Sequence, residues 1–411
     1  MKINIDNFTK NIISVFIGSF LASFLSLLYQ LLIAHKFYPA DFAAFNSLLS
    51  LFTIISIPIL TFQTAIAKYS AEFLAHNNTG KVTALLSGFL KKNIFFSAVT
   101  LIIFYYFSLY ITAKLKVDSN ACVYILSLLF ATCWIVPVLM GGAQGLELFG
   151  WYISALLISS VLKLILAFVF VIAGFHIAGA LGAFLGSNIL VIVILLFALR
   201  RSINFRPVEE KINYKEIFAY LFPISLSLFC LAALVNMDMV LVRYFFSPQD
   251  SGFYSLSQMV GKIFLFLPAS ISVALLPRAS GLKAKNIDAL HILSRCLSYA
   301  VILCAISILI YNFFPGFILK ALTGKAPYES VALARIFSVS MSFFALSSVL
   351  ITYFLSQKDL RFIKYLIFLT LSQGLAIIFL HPGLMSVQLI LCVTSILLFI
   401  THLALAYRRV V

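Results

Sequence analysis

Residues 39–48 read Pro39-Ala-Asp41-Phe-Ala-Ala-Phe45-Asn-Ser47-Leu48, and residues 248–256 read Pro248-Gln-Asp250-Ser-Gly-Phe253-Tyr-Ser255-Leu256. With one gap allowed, Pro, Asp, Phe, Ser and Leu recur at an offset of 208–209. Each stretch leads into a long apolar run, near 42–66 and near 252–276. The agreement continues outward. Pro58 falls opposite Pro268 and Lys68 opposite Arg278, both at offset 210. Gln144-Gly-Leu-Glu-Leu-Phe149 falls opposite Gln357-Lys-Asp-Leu-Arg-Phe362 at offset 213. Chance alignment of Phe- and Leu-rich sequence accounts for any one of these matches, but three in the same chain order argue for an internal repeat.

The runs themselves set the solvent. Of 411 residues, 63% are hydrophobic and 10% charged, against about a quarter charged in an ordinary soluble domain. Mean hydropathy is +1.10. A soluble fold leaves roughly a quarter of its chain surface in water, too much for this composition to cover with polar groups. The chain is read as a membrane protein, which excludes a soluble enzyme, a secreted disulfide scaffold and a disordered chain.

A hydrocarbon core of about 30 Å at 1.5 Å per residue needs about 20 apolar residues per helical crossing. Runs cut by charges and Pro/Gly turns give twelve, near 11–35, 42–66, 93–112, 120–141, 151–174, 177–199, 217–242, 252–276, 296–314, 331–356, 362–380 and 384–406. The turn at 174–177 makes the fifth and sixth the least secure pair. A barrel is excluded, because membrane strands alternate apolar with polar residues. The repeat offset covers six crossings, an even number, so both copies have one orientation and the pseudo-two-fold axis runs along the membrane normal. The expected fold is all-α: about twelve transmembrane helices in two six-helix lobes, residues 1–205 and 206–411.

Orientation follows from the 29 Lys and Arg. With the N-terminus inside, inner segments hold twenty of them and outer segments six, namely Lys36, Lys114, Lys116, Arg243, Lys320 and Lys325. Lys163, Lys262 and Arg335 fall inside spans. Positive charge gathers on the cytoplasmic side of a membrane, which places both termini there, in the cell inner (cytoplasmic) membrane. The net charge of +16 is then topological and does not point to nucleic acid. The first run, about 25 apolar residues, exceeds the 7–15 of a cleaved signal core and reads as a retained anchor. Six cysteines lie in or beside apolar runs with no CxxC pair, and read as small core residues.

Enzyme motifs are missing. There is no P-loop, no HExxH and no GxSxG elbow, and the six histidines are scattered. No metal or cofactor site is expected. Gly179, Gly182 and Gly186 lie inside an apolar run and read as a small-residue face for close helix packing. The longest outer connection, 315–330, is short for a membrane glycan polymerase.

Chemistry therefore rests with charges inside spans, each costing about 2.5–3.5 kcal/mol at the bilayer centre on insertion scales. Lys163 and Lys262 lie too deep to snorkel easily, whereas Arg335 is about five residues into its span and can. Asp238 is the one acid within a span, with Arg243 five residues on. Three interior cations against one anion call for water or an anionic ligand. Lys262, Lys163, Arg335 and Arg243 are the substrate-binding candidates, and Asp238 is the ion-coupling candidate. Bland readings stand beside them: a lysine bonded to helix carbonyls or held neutral, a snorkelling arginine, a local Asp238–Arg243 pair. Pro58 and Pro268, repeat mates inside spans, are candidates for kinks that bend during transport, although packing geometry alone also accounts for them.

The pattern resembles the polysaccharide-biosynthesis (Wzx-type flippase) branch of the multidrug/oligosaccharidyl-lipid/polysaccharide superfamily. The likeness covers nearly the whole chain. It rests on the two six-span halves, on His35-Lys36-Phe-Tyr-Pro39-x-Asp41-Phe, and on Asn236-Met-Asp238 through Arg243 to Gly252-Phe-Tyr254. The turns Gln144–Phe149 and Gln357–Phe362 add to it. The resemblance implies a MATE-like, V-shaped pair of lobes around a cationic cavity that moves polyprenyl-diphosphate-linked oligosaccharide from the inner to the outer leaflet. The partners it implies are that lipid, the surrounding membrane lipids, a glycan polymerase and other polysaccharide-assembly proteins. Two alternatives stay open: a cation-extruding multidrug exporter, for which Asp238 alone would have to serve, and a membrane glycan polymerase.

Overall fold

The computed structural model describes residues 7–202, 212–266, 271, 275, 279, 282 and 289–407. The described elements are helical throughout: α1 Asn7–Lys36, α2 Pro39–Ala75, α3 Thr79–Lys114, α4 Asn120–Gly145, α5 Phe149–Ile172, α6 His176–Ser202 and α7 Tyr214–Phe245. They continue with α8 Pro248–Phe266, α9 Leu290–Phe313, α10 Pro315–Thr323, α11 Tyr328–Ser356, α12 Phe362–Phe379 and α13 Leu384–Tyr407.

Among the described residues, eleven helices are long and apolar enough to cross a membrane. The twelfth expected crossing begins as α8. Beyond it, Ile271, Leu275, Ala279 and Leu282 are helical, with Leu275 and Ala279 fully buried at the four-residue spacing of one helix face. Several helices outrun their apolar cores. α3 starts at Thr79, so Lys81, Lys91 and Lys92 ride on helical turns ahead of the apolar stretch, where an Asn78 side chain caps it by accepting from the Lys81 N–H at 2.9 Å. The chain reverses sharply between α5 and α6 through Gly174 at φ +83°, a left-handed turn that glycine enters without steric cost. Gly179 and Gly186 then let α6 lie on α5, since an added Cβ would meet Phe170 Cβ at 2.8 Å and Leu166 Cδ1 at 3.0 Å.

The repeat is visible element by element. α1 to α6 correspond to α7, α8, α9, α11, α12 and α13, and Pro39 and Pro248 open α2 and α8. The short α10 is an addition of the second half, in the long connection noted above. The turns after α4 and α11 carry matching left-handed residues, Glu147 at φ 57° and Lys358 at φ 54°. Their repeat-mate glutamines make like ties: Gln63 Nε2 donates to Gln144 Oε1 at 3.0 Å, and Gln357 Nε2 donates to the Ala279 carbonyl at 3.1 Å.

By packing, the chain divides into two compact units, Met1–Lys36 with Ile55–Ser225, and Phe37–Ile54 with Leu226–Val411. Helices α2 and α7 thus each contribute to both. In the first unit α4 is central, against α3, α5 and α6. Its Val138 joins a core of Ile66, Leu85, Phe89 and Leu221, while Leu139 and Ala143 join Tyr152, Leu195 and Leu199 on the other side. In the second unit α11 takes that place, against α8, α9 and α13. The first turns of α2 pack there too: Asn46 Nδ2 donates to Ser255 Oγ at 2.6 Å, and Lys325 Nζ donates to the Phe37 carbonyl. Outward faces carry large apolar side chains such as Phe16, Phe95, Tyr106, Phe168, Phe313 and Phe368. Water does not tolerate so wide an apolar surface; lipid does. The protein is a multi-pass membrane protein.

Candidate functional site

The first turn of α8 is set by a reciprocal cap. Ser247 Oγ donates to Asp250 Oδ2 at 2.7 Å and accepts from the Asp250 N–H at 3.1 Å, with Pro248 in the first helical position. From there Tyr254, Gln258 and Lys262 follow at four-residue spacing, which stacks them on one face. That face meets Asn236 and Asp238 of α7, in the second unit.

Asp238 is fully buried. Tyr254 donates its hydroxyl to Asp238 Oδ2 at 2.9 Å, and Gln258 Nε2 donates to both carboxylate oxygens at 3.0 Å. Lys262, half-buried, donates to Asn236 Oδ1 at 2.9 Å. Asn236 in turn donates its amide to the Ala232 carbonyl at 2.9 Å, which holds its oxygen toward the lysine. Hydrogen bonds to a charged group are worth about 1.5–3 kcal/mol each, so the carboxylate is held well although no cation among the described residues pairs with it. The result is a buried anion and a half-buried cation side by side, each seated on neutral partners.

The other candidates lie apart from this cluster or at its margin. Lys163 of α5 is in the first unit, where it donates to Ser26 Oγ of α1 at 2.9 Å and lies 5.2 Å from the ring centroids of both Tyr29 and Phe184. Tyr29 is itself fixed by donating to the Ala180 carbonyl at 2.8 Å. A cation between two ring faces gains about 0.5–2 kcal/mol from each as it is desolvated. Arg243, buried near the end of α7, donates Nη1 to the Pro248 carbonyl at 3.4 Å, across the turn into α8. Arg335 is exposed on α11. Pro58 sits inside α2, where its carbonyl accepts from Thr61 Oγ1 at 2.6 Å and from Ser225 Oγ at 3.2 Å. Pro268 lies outside the described residues, as does Arg278, the mate of Lys68. No group of three or more His, Cys, Asp or Glu among the described residues is placed to hold a metal ion.

The structure thus sets Lys262 and Asp238 in neighbouring bonds between α7 and α8 of the second unit, and Lys163 in the first unit. Sequence reasoning passed over Tyr254, Gln258 and Asn236 as site residues. The signal was there in the four-residue spacing of Tyr254, Gln258 and Lys262, a polar stripe along an apolar run.

Residues 8–283 match the family model described as polysaccharide biosynthesis protein. Among solved structures, an inward-facing multidrug resistance MATE family transporter of the MOP superfamily is similar at a TM-score of 0.78 and 14% identity, over 94% of this chain and 95% of that one. The lipid II flippase MurJ in an inward closed conformation follows at 0.72 and 16%, over 95% and 87%. The MATE multidrug transporter DinF-BH stands at 0.70 and 15%, over 96% and 94%. At such identities the likeness is one of fold. No functionally curated protein matches the chain.

Proposed function

The chain belongs to the polysaccharide biosynthesis protein family, and on that premise we propose that it is a flippase carrying polyprenyl-diphosphate-linked oligosaccharide from the inner to the outer leaflet. The observation that carries this reading is Lys262. Its side chain is half-buried on a helix expected to cross the membrane, and among the described residues its ammonium donates to Asn236 alone, leaving donors over. A diphosphate brings about two negative charges, and one charge pair at ~4 Å is worth about 4 kcal/mol at an effective dielectric near 20 before desolvation. That is enough to seat a headgroup in an otherwise apolar passage while the lipid tail stays in the bilayer. A drug exporter that attracts cations is served less well, since Lys163, Lys262 and Arg335 outnumber Asp238 inside the spans.

In this reading the lobes 1–205 and 206–411 alternate access, with Pro58 and Pro268 as kinks that let α2 and its repeat mate bend. Lys262 is the first contact of the headgroup. Arg335 and Arg243 add positive field against the single carboxylate of Asp238. Transport breaks no covalent bond. The basic inner segments support an inner-membrane protein with cytoplasmic termini, and a glycan polymerase with other polysaccharide-assembly proteins would take up the product.

The test is depletion in the native host, followed by mass spectrometry of polyprenyl-linked sugars with an impermeant probe reporting their leaflet. Complete repeat units trapped on the inner leaflet, with surface glycan lost, are expected. Units already outside but unpolymerised mean an enzyme. An unchanged lipid pool with new sensitivity to cationic drugs means an exporter.

A further inference from the structure

The lysine and carboxylate of the second unit are unevenly satisfied, and the flippase reading gives that imbalance a use. Lys262 has three ammonium donors and directs one to Asn236 Oδ1. One turn back along α8, Gln258 directs its amide nitrogen to Asp238, and its buried Oε1 meets no donor among the described residues. Asp238 takes its side-chain bonds from neutral groups, Tyr254 and Gln258, and forms no ion pair among the described residues. Gln258, which bonds Asp238, and Lys262 stand one turn apart on the same face of α8, so the carboxylate and the ammonium are held along one helix face. A buried charge met by dipoles alone is costly, so the carboxylate attracts the ammonium toward itself. The open acceptor on Gln258 gives that movement an end point.

We infer that Asp238 is a resident competitor for Lys262, drawing its ammonium away from the phosphates of a bound lipid diphosphate and so setting the rate of release. The inference rests on the flippase reading. A lone buried lysine would bind a diphosphate tightly and let go slowly. A carboxylate behind it supplies a second partner of the same sign as the substrate. The ammonium then exchanges between the headgroup on its open side and the Asn236, Gln258 and Asp238 oxygens on its closed side. Asn236 holds the ammonium in the resting state. Tyr254 and Gln258 tune how strongly the carboxylate competes, because every neutral hydrogen bond they donate lowers its need for a cation. No proton moves and no covalent bond changes; Asp238 is a positioning residue acting through Lys262.

Farnesyl diphosphate, a short isoprenyl diphosphate, serves as probe for the full-length protein in lipid nanodiscs. Proteoliposomes report flipping of a fluorescent polyprenyl diphosphate. Asp238→Asn is expected to tighten probe binding by about tenfold or more while slowing flipping. Tyr254→Phe removes one donor from the carboxylate and is expected to shift affinity the other way, weakening it several-fold. Both shifts disappear in a Lys262→Ala background if they act through the lysine. Unchanged or weaker binding by folded Asp238→Asn overturns the competitor role, with the flippase reading intact as long as Lys262→Ala still loses affinity. Where Asp238→Asn does not assemble, Tyr254→Phe decides alone: weaker binding that Lys262→Ala erases supports the role, and wild-type binding overturns it. Lys262→Ala binding as tightly as wild type overturns the flippase reading at this lysine.

Discussion

Gly252→Ala should loosen the start of α8 from the start of α2. A Cβ at Gly252 would stand 2.7 Å from the Pro39 carbonyl carbon, 2.7 Å from its Cβ and 2.9 Å from its oxygen. Carbon atoms pack at about 3.5–4.0 Å, so the two helices have to part by about 1 Å. Relief by rotamer change is closed, because the atoms met are backbone and a proline ring. Overpacking of this kind costs about 1–3 kcal/mol. The neighbouring Asn46–Ser255 bond, 2.6 Å long, would stretch as well. In membrane proteins such a bond is worth about 0.6 kcal/mol. With that bond in place the total is near 2–3 kcal/mol; where both residues are replaced by cysteine the overpacking alone, near 2 kcal/mol, lowers the population of any state that keeps this contact by about 30-fold relative to states that release it, at 1.4 kcal/mol per tenfold. The assay is cross-linking of an Asn46→Cys, Ser255→Cys pair with a short bifunctional thiol reagent in native membranes, with thermal stability in detergent read in parallel. The glycine background should cross-link readily and the alanine background poorly, with a lower unfolding midpoint. Equal cross-linking and equal midpoints would refute the close-contact argument.

Three further outcomes are expected. Lys262→Ala should cut flipping at least tenfold whereas Lys262→Arg keeps part of it, read as surface glycan and as proteoliposome rate; equal activity in all three forms removes Lys262 from the site. Lys163→Met should lower thermal stability by about 1–2 kcal/mol through loss of the Ser26 bond and two ring contacts, and lost flipping at unchanged stability would instead make its ammonium a substrate contact. Pro58→Ala restores an N–H inside α2 and should lower transport without lowering membrane abundance, and Pro268→Ala is expected to do the same; equal loss of both quantities points to a folding role.

Much of the architecture was legible in the chain alone. Helical crossings were legible because lipid offers backbone groups no partner, which leaves an apolar run of about twenty residues a single favourable conformation. The repeat was legible because Pro39 and Pro248 open α2 and α8 and the Gln144 and Gln357 turns close α4 and α11, positions where few residue types fit. The added α10 was not legible, since nine residues fall well short of a crossing and the sequence marks them only as a long connection. Lys262 and Lys163 stood out alike in sequence as deep cations. Their partners did not, because Ser26 is 137 residues from Lys163 and Asn236 is 26 from Lys262, on helices whose rotation no local pattern fixes.

Composition and short-range spacing thus specified the solvent, the helices, the parallel repeat and the scarcity of interior anions. Which interior charges meet was left to packing. Packing enclosed Lys163 between two rings and a hydroxyl, set Arg335 at an exposed position on α11, and laid Tyr254, Gln258 and Lys262 along Asn236 and Asp238. The cause lies in how helix faces are chosen: a rotation of about 100° per residue moves a side chain from core to lipid without changing anything the sequence displays.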